Sequence, residues 1–253
     1  MINTRIMEDS LIFKLYEGLP RQGPGSDQCT KKMFSMIPGV PDEPRILDIG
    51  CGTGTQTLAL AELSGDAIIT AVDVYQPFLD TLKKNGGMRG LGHRITTKCA
   101  SMDNLPFDPG FFDIIWAEGS VFVMGFSNGI RYWKDFLKPG GFLALSDLVW
   151  FSDNPSPETR EFFRMEYPAM TNARGNEDMI NAAGYTFISS FSFPDSAWWK
   201  NFYEPFEIRL AEFEKIYAGN DEAMALVEVS RKELAIFRAH SDEYGYQFFL
   251  MQK

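Results

Sequence analysis

The stretch Asp48-Ile49-Gly50-Cys51-Gly52-Thr53-Gly54 constrains this chain more than any other. It follows Arg45-Ile46-Leu47, an apolar run that reads as a buried strand, and it precedes 55–63, which reads as a helix. An acid and three alternating glycines at a strand-to-helix turn predict a nucleotide cradle. Glycine lets the backbone turn tightly and lets a ligand approach without meeting a Cβ. The following helix N-terminus offers free N–H groups. A dinucleotide site would carry G-x-G-x-x-G; here the glycines fall at 50, 52 and 54, and position 55 is Thr.

Further landmarks come in order. Residues 67–73 form a second apolar run ending in Asp73. An acid at the tip of the second strand of a doubly wound sheet is placed to hydrogen-bond a ribose diol, and its two oxygens can accept from both hydroxyls. Asp73 would also serve as a cap for the helix starting near Gln76-Pro77. Residues 93–100 read as strand three, followed by Ser101-Met102-Asp103-Asn104-Leu105-Pro106-Phe107. Residues 111–118 read as strand four, ending in Glu118. Then Leu137-Lys138-Pro139-Gly140-Gly141 leads into strand five.

Asp-x-Gly-x-Gly-x-Gly followed by these landmarks resembles the class I S-adenosylmethionine-dependent methyltransferases, most nearly the type-11 subgroup that includes quinone-biosynthesis-like and small-molecule enzymes. The resemblance covers 45–150 well and both flanks weakly. It implies a Rossmann-like, doubly wound α/β sheet of seven strands, mostly parallel with the last antiparallel. It also implies S-adenosylmethionine as cofactor, S-adenosylhomocysteine as product, and no metal. Asp48 would hold the turn or the methionine amine, and Gly50, Cys51, Gly52 and Gly54 would pass beneath methionine and ribose. Asp73, with Val74 beside it, would take the ribose. Ser101, Met102 and Asp103 would bracket the adenine, with Ser101 or Asp103 contacting its amine. Glu118 would stand beside the methionine end, holding the ammonium, orienting a substrate or accepting a proton; a helix-capping carboxylate is the plainer reading. Asp147 is a weaker candidate.

The remaining organisation is read from pattern. Residues 7–19 have the apolar spacing of a short helix, and Ser26 is placed to cap a second one. The division expected is an N-terminal helical lid segment over 1–40, a core over 41–193 and 244–253, and a helical insertion over 194–243 between the last two strands. The family core closes that gap with a short hairpin. Here two long helical patterns, 197–217 and 221–240, offer either a cover over the site or a homodimer surface.

Composition narrows the partners. The net charge is −10, with 34 acidic and 24 basic residues, and no basic cluster appears. That disfavours nucleic acid and an anionic membrane surface. Three scattered cysteines and two distant histidines provide neither a disulfide framework nor a metal set. No run of about eighteen apolar residues occurs, and no signal pattern opens the chain, which fits a reducing cytoplasm. Aromatics outside the sheet core, Tyr16, Trp116, Phe122, Phe126, Tyr132, Tyr167, Trp198, Trp199 and Tyr203, serve either as packing or as chamber walls. The function expected is methyl transfer to a small-molecule acceptor by in-line displacement, driven mainly by proximity and orientation. A non-enzymatic S-adenosylmethionine-binding module and a protein methyltransferase are the alternatives.

Overall fold

The computed structural model describes residues 10–253. Two short helices open the described chain, α1 (Leu11–Tyr16) and α2 (Asp27–Ser35). Ser26 caps α2, its Oγ accepting the Cys29 N–H. The expected first helix begins at residue 7, so its first three residues lie outside the described ones.

Strand–helix alternation then builds the sheet. It comprises β1 (Arg45–Ile49), α3 (Thr55–Leu63), β2 (Ile68–Asp73), α4 (Gln76–Met88), β3 (Ile95–Cys99) and β4 (Phe112–Glu118). Next come α5 (Phe126–Trp133), β5 (Leu137–Trp150), α6 (Pro157–Glu166), the two-residue β6 (Thr171–Asn172) and α7 (Ala173–Ala182). The sheet order is β3-β2-β1-β4-β5, continued by β8 (Tyr244–Gln252) and then β7 (Thr186–Ser192). β1 to β5 are parallel, whereas β8 lies antiparallel to both β5 and β7. The small β6 pairs with the end of β5, adding an eighth strand to the seven expected.

The central strands β1, β4, β5 and β8 are buried on both faces, as a sheet covered by helices requires. Alternation sends Ile46, Ile114, Trp116 and Phe248 to one face and Leu47, Ile115, Ala117 and Phe249 to the other. β5 is longer than expected. Pro139-Gly140-Gly141 lies inside its span, and the register between β4 and β5 shifts at Phe112/Ile114.

The chain order reverses between β1 and β4, so a crevice opens at their carboxyl ends. The segment 194–243 folds as α8 (Asp195–Trp198), a π-turn over Trp199–Tyr203, α9 (Glu204–Ile216) and α10 (Asp221–His240). It grips the N-terminal segment. The Arg209 guanidinium donates to the Lys14 and Leu15 carbonyls at the end of α1, Asn201 Nδ2 donates to the Gly25 carbonyl, and the Gly25 N–H donates to the Ala197 carbonyl.

Candidate active site

The glycine turn is tied to β2. The N–H groups of Gly50 and Cys51 both donate to the Val72 carbonyl, at 2.8 and 3.0 Å. Gly50, Gly52 and Gly54 all have positive φ, from +53° to +81°, a region L side chains rarely adopt. A Cβ at Gly50 would strike Ser120, and one at Gly54 would strike Leu82. Those two glycines are therefore required by packing as well as by conformation.

Asp73 links the strand tips. Its Oδ2 accepts the Gly52 N–H at 2.9 Å, and its Oδ1 accepts the Tyr75 N–H at 2.9 Å. Burial pushes this carboxyl up, while those backbone donors pull it back. Each oxygen retains acceptor capacity. The adjoining loop is fixed from behind: Trp133 Nε1 donates to the Met102 carbonyl, and the Leu105 N–H donates to the Tyr132 hydroxyl.

These groups line one cavity of about 910 Å³. Gly50, Gly52, Asp73, Val74, Ser101, Met102 and Asp103 all face it, as do Gln22, Gly119 and Ser120. Beyond them it continues into a chamber between α6, α10 and the N-terminal segment, with Tyr16, Phe163, Tyr167, Trp198, Phe202 and Tyr246 in its walls. Phe122 lines it too, whereas Trp116, Phe126, Tyr132, Trp199 and Tyr203 do not.

Four expected site residues do not line the cavity. Cys51 packs beneath the turn with Leu58 and Leu79, and burial raises its thiol pKa well above the ordinary value. Gly54 closes the turn, its N–H donating to the Cys51 carbonyl. Asp48 is fully buried and accepts from Thr57 Oγ1 and Gln56 Nε2. It holds the turn from below, and burial pushes its carboxyl up to about 7.

Glu118, placed by the sequence reading beside the reacting methyl, is instead consumed by protein partners. Its Oε1 accepts from Thr30 Oγ1 at 2.6 Å and Trp116 Nε1 at 2.9 Å, and its Oε2 pairs with Arg21 at 3.2 Å. The side chains are only 4% and 8% exposed. The reason is the return of the N-terminal segment over β4, which delivers a guanidinium where a free carboxylate was expected. Asp147 bonds Tyr167, its Oδ2 accepting the phenol at 2.9 Å.

Sequence reasoning missed Gln22, whose Oε1 accepts both the N–H and the hydroxyl of Thr53. It also missed Ser120, whose Oγ donates to the Ile49 carbonyl at 2.8 Å. Neither carries a local signal. Among the described residues no group of His, Cys, Asp and Glu could hold a metal ion, and no helix is long and apolar enough to cross a membrane.

A doubly wound sheet with a glycine turn at its switch point, an acid on the neighbouring strand tip and a cavity joining them defines a class I methyltransferase fold. Residues 46–141 match the family model described as a methyltransferase domain. It is 27% identical over 166 residues to O-methyltransferase cnsE of Penicillium expansum, covering 64% of this chain and 59% of that one. It is 29% identical over 131 residues to 27-O-demethylrifamycin SV methyltransferase of Amycolatopsis mediterranei, covering 51% and 46%. The chain thus spans about half the length of these curated relatives. Among solved structures, a methyltransferase from Geobacter sulfurreducens in complex with S-adenosyl-L-homocysteine superposes with TM-score 0.82 at 16% identity, covering 96% and 98%. The [4+2]-cyclase SpnF superposes with TM-score 0.75 at 22% identity, covering 96% and 92%.

Proposed function

We propose that this protein transfers a methyl group from S-adenosylmethionine to a small-molecule acceptor. One observation carries the reading: a single cavity joins the glycine turn, Asp73 and the 101–103 loop to a largely apolar chamber. The residues present fit the cofactor. Asp73 has oxygens left to accept from a ribose diol, Met102 offers a polarizable surface to an adenine, and Gly50 and Gly52 leave the turn open to close approach. Bound there, S-adenosylmethionine supplies a sulfonium-activated methyl group.

The chain's own contribution is orientation and exclusion of water. Gly119 and Ser120 follow β4 directly and line the cavity. Aromatic walls beyond them hold the acceptor, and holding reactants in a near-attack geometry can lower a barrier by about 7–11 kcal/mol. The insertion 194–243 and the N-terminal segment act as the cover over that acceptor, since Trp198 and Phe202 face the chamber. The O-methyltransferases among the relatives favour a hydroxylated small molecule, and the acidic charge of −10 disfavours nucleic acid. Three free cysteines suit a cytoplasmic enzyme.

A structural neighbour with cyclase activity shows that the fold alone does not fix transfer. The experiment therefore has two readouts: calorimetry with S-adenosylmethionine against NAD, and mass-spectrometric detection of S-adenosylhomocysteine with a panel of acceptors. Binding of the sulfonium with product formation supports the reading. Failure to bind it overturns the reading, and binding without product across the panel leaves a sensor or scaffold.

A further inference from the structure

Glu233 lies on α10 and lines the chamber. Its Oε1 accepts the Tyr203 hydroxyl at 2.8 Å. No Lys, Arg or His among the described residues pairs with it. The other charges of this helix behave differently: Arg231 pairs with Glu214 and Arg238 with Glu207, both on the solvent side. Glu233 is half-buried where it lines the cavity, and desolvation there pushes its carboxyl up. Packing alone does not call for a carboxylate here, because its neighbours Leu234, Ile236 and Phe237 are apolar and buried.

The surroundings are aromatic. Tyr16, Tyr244 and Tyr246 lie within electrostatic reach of Glu233 and line the same cavity. Tyr244 is 1% exposed, and its hydroxyl has no hydrogen-bond partner among the described residues. Trp198 stands 5.2 Å from Tyr246 and 6.2 Å from Tyr244 between ring centroids. The charged residues lining the whole cavity, among the described ones, are Asp73, Asp103, Glu166 and Glu233; all four are acidic.

We propose that this part of the chamber is a subsite for a cationic amine carried by an otherwise apolar acceptor, ion-paired to Glu233 and faced by the rings of Tyr16, Tyr244, Tyr246 and Trp198. The inference rests on reading the chamber as the acceptor site. A desolvated carboxylate without a cation is costly, and a ligand ammonium relieves that cost. Ring faces add to the attraction. A carboxylate or phosphate on the acceptor would meet four negative groups and no positive one. The amine is an anchor for the acceptor, separate from the atom that receives the methyl.

The test uses the full chain and three matched probes: N,N-dimethyl-3-phenylpropylamine, 3-phenylpropanol and 4-phenylbutyrate. Binding is followed by quenching of tryptophan fluorescence, without cofactor. The amine is expected to bind at least about ten-fold tighter than the alcohol, with the carboxylate weakest. Glu233→Gln should bring the amine to the level of the alcohol while S-adenosylhomocysteine affinity is unchanged. Equal binding of amine and alcohol to the unsubstituted protein, or an amine preference that survives Glu233→Gln, overturns the subsite. The probe series needs no variant, so a misfolded Glu233→Gln protein does not remove the test. Loss of S-adenosylhomocysteine binding in the unsubstituted protein would instead strike the methyl-transfer reading and is separately visible.

Discussion

Asp73 Oδ2 accepts the Gly52 N–H at 2.9 Å, so the acid ending β2 holds the middle of the glycine turn that follows β1. The same carboxylate faces the cavity. Fixing the turn and receiving a ribose are therefore two uses of one side chain. Asp73→Ala should weaken S-adenosylhomocysteine binding at least ten-fold, the scale of a lost charge-assisted hydrogen-bonding group at about 1.5–3 kcal/mol. It should also lower the melting temperature, because Gly52 and Tyr75 both lose an acceptor. Calorimetry and a thermal melt read the two effects, and unchanged affinity would remove Asp73 from the site.

Gly52 and Gly54 should separate binding from folding. Both have positive φ. A Cβ at Gly52 would press on the end of the flexible Gln22 side chain, which lines the cavity, whereas one at Gly54 would enter buried Leu82. Gly52→Val is expected to abolish cofactor binding while leaving a cooperative unfolding transition. Gly54→Val is expected to lose the transition itself. Retained binding in folded Gly52→Val would contradict the cradle.

What the sequence made legible was local. The turn at 48–54, Asp73 on the next strand tip and the 101–103 loop each follow a strand within a few residues, so spacing alone placed them at one end of the sheet. Ser26 as a cap was legible for the same reason. The rest depends on contacts across the chain. Glu118 looked free because Arg21 and Thr30, its partners, are 97 and 88 residues away. The depth of Asp48 beneath the turn follows from α3 folding back to bring Thr57 over it. The pattern in 221–240 showed a long helix but could not show that Glu233 faces a cavity instead of solvent. Strand five ran longer than expected because Pro139-Gly140-Gly141 reads as a turn, whereas the sheet absorbs it with a register shift.

Arg21 and Glu118 should behave as a structural strut. Removing one partner of a buried pair leaves an uncompensated charge and costs about 3–5 kcal/mol. Arg21→Ala is thus expected to lower unfolding free energy by roughly 3 kcal/mol in urea titrations. Glu118→Gln should be milder, because the amide oxygen can still accept from Thr30 and Arg21 keeps Asp27 at 2.9 Å. A general base contributes about 10²–10⁴-fold. Turnover within ten-fold of the parent in Glu118→Gln supports the strut, and a thousand-fold fall in a folded variant would return Glu118 to the chemistry.

Asp147 should make stability depend on pH in an unusual direction. It is 2% exposed, its Oδ1 has no hydrogen-bond partner among the described residues, and burial pushes its carboxyl up to about 7 from an ordinary 3.8. The Tyr167 hydroxyl pulls it down, but by less. Between about pH 4 and pH 7 the native state therefore binds more protons at this site than the unfolded chain does. Stability must fall as pH rises through that window. Asp48, also pushed up to about 7 by burial, adds to the same trend. Asp147→Asn keeps the shape, lets Tyr167 donate to the amide oxygen and abolishes the titration. It should flatten the decline between pH 5 and pH 8 by about 1–3 kcal/mol and leave a protein more stable than the parent at pH 8. Urea unfolding at the two pH values decides the matter: an equal decline in parent and variant would mean that Asp147 stays ionised in the folded protein throughout.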